Sequence, residues 1–155
     1  MKNLLHWLKY KNQEDIGAFL GDWCGASLKD DELLKNVDLV VPVPLHPKKQ
    51  KKRGYNQVSR FAQNIADHLG VEFREDLLLK VTNTKTQTKK DRQSRWLNSK
   101  DAFDLNFSSN KNYRHILLVD DVITTGATIE SCAKKLLQLK GIEISVLSIA
   151  VVPQG

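Results

Sequence analysis

The chain has 155 residues, of which 24 are lysine or arginine and 18 are aspartate or glutamate, so its formal net charge is +6 at pH 7. This length predicts one domain, residues 1–155, and the content of 41% hydrophobic and 27% charged residues is typical of a soluble globular protein. No apolar run approaches the ~20 residues of a membrane-spanning helix, so membrane insertion is not expected. The positive charge favours an anionic ligand or nucleic acid.

The two cysteines, Cys24 and Cys132, lie far apart in the chain, and neither belongs to a Cys-x-x-Cys pair. We expect free thiols in a reducing cytoplasm, and we expect no zinc site. The N-terminus lacks the small-residue cleavage site of a secretory signal. A cytoplasmic location is therefore predicted.

Residues 1–35 predict an N-terminal helical segment that packs on the rest of the domain. Its apolar residues recur at helical spacing. They are Leu4, Leu5 and Leu8, then Ile16, Phe19, Leu20 and Trp23. Gly25 and the polar residues 27–32 are expected to end this element.

Residues 37–43 predict the first strand, because they are rich in valine and leucine. Pro42 and Pro44 should end regular pairing, since proline lacks a backbone donor. The chain then leaves the sheet through residues 43–47 and enters a basic cluster. That cluster comprises Lys48, Lys49, Lys51, Lys52 and Arg53.

A second helix is predicted from an apolar stripe that ends at Gly70, a typical C-terminal cap. The stripe comprises Val58, Phe61, Ala62, Ile65, Ala66 and Leu69. The basic cluster and the start of this helix could hold a pyrophosphate, with lysines as point charges and helix amides as directed donors. The alternative, a solvated basic loop, stays open at this point.

Residues 77–81 predict another strand, which is followed by the polar, threonine-rich residues 82–90. A polar loop of this length inside a compact domain is typically functional or disordered. It carries a second basic cluster, comprising Lys85, Lys89, Lys90, Arg92 and Arg95.

Residues 116–128 contain four apolar residues, then Asp120 and Asp121, and then a turn rich in threonine and glycine. The pattern predicts a buried parallel strand over 115–119, acids at its carboxyl end, and a helix over 127–139. Backbone amides and hydroxyls in such a turn suit a phosphate, and carboxylates suit ribose hydroxyls. The alternative is an N-capped helix beside two solvated aspartates.

A last strand is predicted over residues 142–152, after a helix end at Gly141. Strands separated by helices or long crossings predict a parallel α/β sheet with right-handed crossovers. Ligands of such sheets bind at the carboxyl ends of the strands, where the acid pair falls.

The run Ile-Leu-Leu-Val-Asp-Asp-Val-Ile-Thr-Thr-Gly-Ala-Thr, residues 116–128, resembles the phosphoribosyl-pyrophosphate (PRPP) signature of type I phosphoribosyltransferases. The resemblance implies that Asp120 and Asp121 contact the ribose hydroxyls. It also implies that the following turn wraps the 5′-phosphate. The residues of that turn are Ile123, Thr124, Thr125, Gly126, Ala127 and Thr128.

Further blocks resemble the ComF family: Val-Pro-Val-Pro-Leu-His-Pro at residues 41–47, Arg-Gly-Tyr-Asn-Gln at 53–57, and Gln-Thr at 87–88 before a basic stretch, Arg95, Asn98 and Ala102-Phe103. Together with the signature, the resemblance spans about residues 2–152. It implies an α/β type I phosphoribosyltransferase-like parallel sheet flanked by helices, with a mobile hood loop over residues 82–98.

The resemblance also assigns ligand contacts outside the signature. Arg53 is expected to act in catalysis with the two aspartates. The residues expected to bind pyrophosphate are Val43, Pro44, Leu45, His46, Arg53, Gly54, Asn56 and Gln57. The hood residues expected to close over the ligand are Gln87, Lys89, Lys90, Arg92 and Arg95. Lys89 departs from the small or apolar residue that many relatives have there.

The implied function is a phosphoribosyltransferase that binds PRPP with Mg²⁺ and releases pyrophosphate, with an unidentified acceptor. Mg²⁺ is expected mainly through PRPP and water, and the sequence names no metal ligands. The alternative is a non-catalytic, PRPP-binding accessory protein of competence or DNA uptake that contacts proteins or single-stranded DNA. A homodimer stays open. Longer members carry a zinc-finger-like module ahead of residues 4–10, and the match here is to the core domain without it.

Overall fold

The computed structural model describes residues 14–45, 56–81, 102–106 and 111–152. The helices are α1 (Glu14–Leu28), α2 (Gln57–Leu69) and α3 (Ala127–Leu136). The strands are β1 (Leu39–Pro42), β2 (Glu72–Phe73), β3 (Leu78–Lys80), β4 (Phe103–Leu105), β5 (His115–Ile123) and β6 (Glu143–Val151). No helix in these segments is long and apolar enough to cross a membrane.

The central sheet has four parallel strands in the order β2–β1–β5–β6, as the predicted fold class requires. Pro42, the last residue of β1, lies opposite Val119 of β5. Because the two strands are parallel neighbours, the chain leaves both of them at the same edge of the sheet. The segment after β1 and the acid pair of β5 therefore lie side by side.

Helices cover both faces of this sheet. On one face, Phe61 and Ile65 of α2 pack in a fully buried cluster with Leu117 of β5. On the other face, Cys132 of α3 packs with Leu118 of β5. Residues of β3 and β4 complete that second cluster, so the small sheet and α3 share one side of the central sheet.

The predicted helix over residues 58–69 is confirmed as α2, and its apolar stripe is buried as expected, apart from the half-buried Leu69. Gly70 ends the helix with a φ of 67°, a left-handed conformation that glycine adopts without a steric cost. Asn56 caps the first turn, where its side chain accepts a hydrogen bond from the Val58 amide. The sequence pattern thus located the C-terminal end of this helix.

The first helix packs on the domain as predicted, but two residues of its predicted packing face are exposed. Phe19 and Trp23 are 69% and 66% exposed, and the helix continues through Gly25 to Leu28. The reason is close contact between helices: a Cβ on Gly21 would lie 2.7 Å from the Cβ of Asn64, and one on Gly25 would meet the His68 ring at 2.6 Å. Glycines therefore form the interface with α2, beside Leu20, Cys24 and Leu28, which pack against the core.

The predicted strand over residues 77–81 does not join the parallel sheet. Its central part is β3, which pairs antiparallel with β4 in a separate two-stranded sheet. The sequence analysis missed β2 and β4, because two or three residues are too few to show periodicity. It also expected Pro42 to end regular pairing, whereas Pro42 is still paired with β5 and the Val43 amide continues the ladder to the Val119 carbonyl at 2.8 Å.

The strand of the acid pair is longer than predicted. β5 runs to Ile123, so Asp120 and Asp121 lie within its paired length rather than after it. The pairing partner explains the extension, because β6 follows β5 to Val151 opposite Ile123. The following helix is shorter than predicted and ends at Leu136, after which the chain turns through Gly141 with a φ of 71°.

Candidate functional site

Two segments that the sequence analysis assigned to one ligand meet at the carboxyl edge of the central sheet. The segment after β1 begins at Val43, whose amide hydrogen bond to Val119 fixes it beside the residue that precedes Asp120. Pro44 and Leu45 follow and are half-buried. The fold thus brings the first three predicted pyrophosphate residues next to the predicted ribose residues.

The acid pair points to both faces of the sheet, because successive side chains of a strand alternate. Asp120 shares its side with Leu118 and therefore faces α3 and the small sheet. Asp121 shares its side with Val119 and faces α2. The Asp121 amide donates to Oδ1 of Asp120 at 2.9 Å, which fixes the orientation of the Asp120 carboxylate.

Burial raises the pKa of Asp120 to about 6, because removal from water disfavours the charged carboxylate. The hydrogen bond from the Asp121 amide and the charge of Lys80 act against this rise, whereas the charge of Asp121 adds to it. At pH 7 the Asp120 carboxyl group is therefore mostly ionised, and keeping this charge partly buried costs free energy. A partly buried carboxylate of this kind is a strong acceptor for ligand hydroxyl groups.

The turn after β5 leads into α3 through Gly126, whose φ of 78° requires glycine rather than a residue with a Cβ. No atom lies within 4 Å of where that Cβ would be, so the constraint is backbone conformation and not space. The Ala127 amide makes a weak contact of 3.4 Å with Oγ1 of Thr125. Gly126 provides no side-chain cap for the helix, so the amides that follow Ala127 in the first turn remain available to an anion.

The start of α2 is tied to the segment after β1 by one side chain. Asn56 is 6% exposed, and its Nδ2 donates to the Val43 carbonyl at 3.2 Å while its Oδ1 accepts from the Val58 amide at 3.3 Å. This double role in the fold accounts for a buried asparagine at this place. Its predicted contact with pyrophosphate, like that of Gln57, whose side chain is outside the described part, stays a prediction.

Several predicted site residues lie outside the described residues. They are His46, Arg53 and Gly54 between β1 and α2 in the sequence, and Gln87, Lys89, Lys90, Arg92 and Arg95 in the predicted hood. The two ends of the hood segment are described and meet in the small sheet, where the Val81 amide donates to the Ala102 carbonyl at 3.0 Å. Val81 and Ala102 are therefore neighbours in the small sheet.

The sequence analysis missed Lys80, whose charge acts on Asp120. Its Nζ lies 5.0 Å from the centroid of the Phe103 ring. The only signal in the sequence was its spacing of two from the apolar Leu78, which puts both on one face of a strand. In the described segments, no group of three or more histidine, cysteine or acidic side chains is placed to hold a metal ion.

Comparisons with known proteins give relatives over most of the chain, although no protein-family model matches it. Competence protein F of Haemophilus influenzae is 34% identical over 95% of this chain and 66% of that protein. Competence protein ComFC of Bacillus subtilis is 32% identical over 98% of this chain and 59% of that protein. DNA utilization protein YhgH of Escherichia coli is 29% identical over 87% of this chain and 60% of that protein. The chain spans about three fifths to two thirds of the length of these relatives.

Solved structures give the fold. The glutamine PRPP amidotransferase of B. subtilis matches with a TM-score of 0.62 at 16% identity, over 94% of this chain and 30% of that one. The adenine phosphoribosyltransferase of Thermoanaerobacter pseudethanolicus matches with a TM-score of 0.54 at 20% identity, over 90% of this chain and 70% of that one. The chain therefore belongs to the ComF family and has the fold of the type I phosphoribosyltransferases.

Proposed function

We propose that this domain binds PRPP together with Mg²⁺ at the carboxyl edge of β1 and β5, and transfers its phosphoribosyl group to an acceptor. The observation that carries the proposal is the layout of β5. β5 carries a partly buried, oriented carboxylate at Asp120, and Gly126, six residues later, is the N-cap of α3 and provides no side-chain cap. A sugar phosphate offers the matching groups, hydroxyls and a phosphate.

Each part of PRPP then has its own set of contacts. The ribose hydroxyls donate to Asp120 and Asp121. The 5′-phosphate accepts from the amides and hydroxyls of residues 124–128. The pyrophosphate lies toward residues 43–45, which the fold holds beside β5, and toward Arg53 and the lysines of the first basic loop. Lysine and arginine suit this task because pyrophosphate is the most highly charged part of the ligand.

The transfer replaces one bond at the anomeric carbon by another. The bond to the pyrophosphate oxygen breaks, pyrophosphate leaves with the electron pair, a bond to the acceptor forms, and the acceptor loses its proton. The residues of the site position the two partners and stabilise the negative charge of the leaving group. Closure of residues 82–98 over the ligand would exclude water, which competes with the acceptor for the cationic sugar.

Mg²⁺ is proposed to be held mainly by the phosphates of PRPP and by water. This suits Mg²⁺, which usually keeps several of its waters and binds through substrate phosphates. When bound, the ion would neutralise charge that builds on the pyrophosphate. No protein ligand is assigned to it.

The biological setting proposed for this chemistry is DNA uptake or DNA use. The names of the relatives, Competence protein F, Competence protein ComFC and DNA utilization protein YhgH, support it. The acceptor and the partner proteins are not specified by these names. Their identity has to come from turnover experiments.

A measurement of pyrophosphate release tests the transferase. PRPP is incubated with the protein and a panel of nucleobases, amines and glutamine, with and without Mg²⁺. We expect release that requires one class of acceptor and the metal ion. The matched variant is Asp120→Asn with Asp121→Asn, which should remove release while the circular dichroism spectrum stays that of the wild type.

A second candidate function is a PRPP-binding accessory protein without turnover. The charge distribution favours it: ten of the 24 basic residues but 16 of the 18 acidic residues lie in the described segments, so these carry −6 and the remainder +12. Basic loops beside a ligand site could contact single-stranded DNA. If no acceptor supports release while PRPP still raises the melting temperature, this candidate replaces the transferase, and a flat response of DNA affinity to salt would then exclude DNA binding through the loops.

A further inference from the structure

We propose that the outer edge of β6 is a self-association surface. The β6 strands of two copies of this chain pair antiparallel about a two-fold axis, and this pairing joins two four-stranded sheets into one continuous sheet. The inference concerns the edge of the sheet that lies farthest from β2. It does not rest on the proposed function, because no ligand takes part in the contact.

β6 is the outermost strand of the central sheet, and within the described segments it pairs with β5 alone. It runs for nine residues in a single register with β5, longer than the ~5–6 residues of a typical strand. The Glu143 amide donates to the Arg114 carbonyl at 2.7 Å, on the β5 side. Because successive residues direct their backbone groups to opposite edges, those of Ile144 and Val146 point to the open edge.

The faces of β6 are open as well as its edge. Of the described helices, α2 packs on the sheet mainly at β1, β2 and β5, and α3 packs at β4 and β5. Every residue of β6 is exposed or half-buried, whereas residues 115–119 of the neighbouring β5 are buried. Val146 and Val151 are 44% and 64% exposed. A second sheet edge can therefore approach β6 without displacing any of these helices.

β6 lacks the features that protect an edge strand from pairing. Soluble proteins block such edges with lysine, proline, a bulge or an inward-pointing charge. From residue 144 to residue 151 the strand contains only aliphatic residues and two serines, Ser145 and Ser148, and its one charged residue, Glu143, is the first. An unprotected apolar edge of this length associates non-specifically unless a defined partner covers it.

The distribution of charge favours a second copy as that partner. A two-fold interface brings the same surface together twice, so it needs a strand that can face itself. In an antiparallel pair centred near Leu147 or Ser148, Glu143 lies opposite the apolar end of the other strand. The two Glu143 carboxylates are then about 25–35 Å apart, from a rise of ~3.3 Å per residue, and do not repel each other. A parallel pair would place them side by side.

The size of this contact predicts a weak dimer. Nine residues of each copy enter the pairing, fewer than half of the ~20–30 residues that each side of a standard interface contributes. Backbone pairing and burial of the exposed valines favour association. We therefore expect a reversible dimer with a dissociation constant of roughly 1–100 µM.

The antiparallel arrangement has a consequence for the candidate site. That site lies at the carboxyl ends of β1 and β5, which are parallel to β6. A two-fold axis perpendicular to the sheet points the strands of the second copy the opposite way. The two sites therefore lie at opposite edges of the joined sheet, and each is built from one copy. Association should leave PRPP affinity unchanged.

The test measures association by sedimentation equilibrium over concentrations that span the micromolar range. Val146→Lys should weaken association by about tenfold or more, because each lysine is desolvated against the other copy and the two charges lie near the axis. Val146→Thr keeps a β-branched side chain without a charge and should keep the dimer. Phe19→Lys puts the same charge at a 69% exposed apolar residue of α1 and should also keep it. Circular dichroism verifies the fold of each variant.

A spin-label measurement tests the orientation without altering the centre of the contact. Labels are attached to Glu143→Cys in a Cys24→Ser background, and their separation in the dimer is measured by pulsed electron paramagnetic resonance. Antiparallel pairing predicts a separation of about 25–40 Å, which includes the label arms. Labels in contact with each other would exclude it. This result decides the inference even if Val146→Lys fails to fold.

The remaining outcomes are equally decisive. A wild type that stays monomeric over the whole concentration range would overturn the inference, and so would a dimer that folded Val146→Lys leaves intact. Loss of the dimer in Phe19→Lys would also overturn it, because the contact would then lie on α1. If the wild type binds no PRPP, the proposed function fails while sedimentation still decides whether β6 pairs with itself.

Discussion

At the scale of the residue, Asp120 sets ligand binding against stability. Burial raises its pKa from the ordinary 3.8 to about 6, so the folded protein holds this proton more tightly than the unfolded chain does. Between about pH 4 and pH 6, the unfolded chain ionises first and folding stability falls as pH rises. Above pH 6 the cost is fully present, and the proposed function accounts for it, because the charged form is the better acceptor for ribose hydroxyls.

Asp120→Asn should therefore stabilise the ligand-free protein at pH 7. We expect a gain of about 1–3 kcal/mol in the free energy of unfolding, and loss of the pH dependence between about pH 4 and 6 that this group causes. Urea unfolding at pH 4 and pH 7 measures both. Glu143→Gln, at an exposed position of β6, is the control and should change neither.

Cys132, on α3, gives a second test of the surroundings of Asp120. It is fully buried, and burial with the nearby Asp120 charge raises the pKa of its thiol to about 12, so almost no reactive thiolate exists at pH 8. In a Cys24→Ser background, a thiol reagent should label Cys132 only at the rate at which the protein opens. Labelling as fast as in urea-unfolded protein would show that α3 does not seal this side of β5.

At the scale of the element, the contact between α1 and α2 is made by glycines, and Gly21 has the least room. An added Cβ would meet the Asn64 Cβ at 2.7 Å and the Phe61 carbonyl oxygen at 2.9 Å, so backbone has to move. Gly21→Ala should destabilise the protein by about 1–3 kcal/mol, although alanine favours a helix by about 1 kcal/mol. In Ala26→Gly, an exposed control on α1, only that propensity is lost. A more stable Gly21→Ala variant would contradict the close packing.

Asn56 joins two elements of the site, and two substitutions separate its roles. Asn56→Asp keeps an oxygen for the Val58 amide but cannot donate to the Val43 carbonyl, whereas Asn56→Ala loses both bonds. We expect Asn56→Ala to cost at least about 1–2 kcal/mol in unfolding free energy and Asn56→Asp to keep the cap. Gln63→Ala, on the exposed face of α2, is the control. Equal stability of Asn56→Ala and wild type would show that the two hydrogen bonds of Asn56 do not stabilise the fold.

The same elements show what the sequence could and could not predict. The stripe of α2 has one apolar face and clear caps, so its helix was predictable to within a residue. The first helix has the large apolar residues Phe19 and Trp23 on its exposed side and glycines on its packed side. The spacing of its apolar residues therefore indicated a packing face that includes two exposed side chains. β2 and β4 form because neighbouring strands pair with them, and a segment of two or three residues is too short to predict such pairing from its sequence.

At the scale of the whole molecule, the described segments are net negative and the remaining residues are net positive. The described segments carry −6, and the two basic clusters in the chain follow β1 and β3. The positive net charge of the chain therefore comes from residues outside the described segments. These basic clusters would attract an anionic ligand, and the attraction would weaken with salt.

The candidate site was predictable at the same scale only in part. The acid pair and the turn before α3 were identified from their residue types and their order along the chain. The raised pKa of Asp120 was not, because it depends on burial by elements that lie far apart in the sequence. Asn56 was identified, but its bonds to Val43 and Val58 gave it a second role in the fold.

The most direct test of the central claim is calorimetric titration of PRPP with Mg²⁺ into the wild type and into Asp120→Asn with Asp121→Asn. Loss of two charge-assisted acceptors predicts affinity weaker by about 100-fold or more, with Glu143→Gln unchanged and the fold of each variant verified by circular dichroism. Wild-type affinity in a folded double variant would contradict the claim that this acid pair holds the ribose of PRPP.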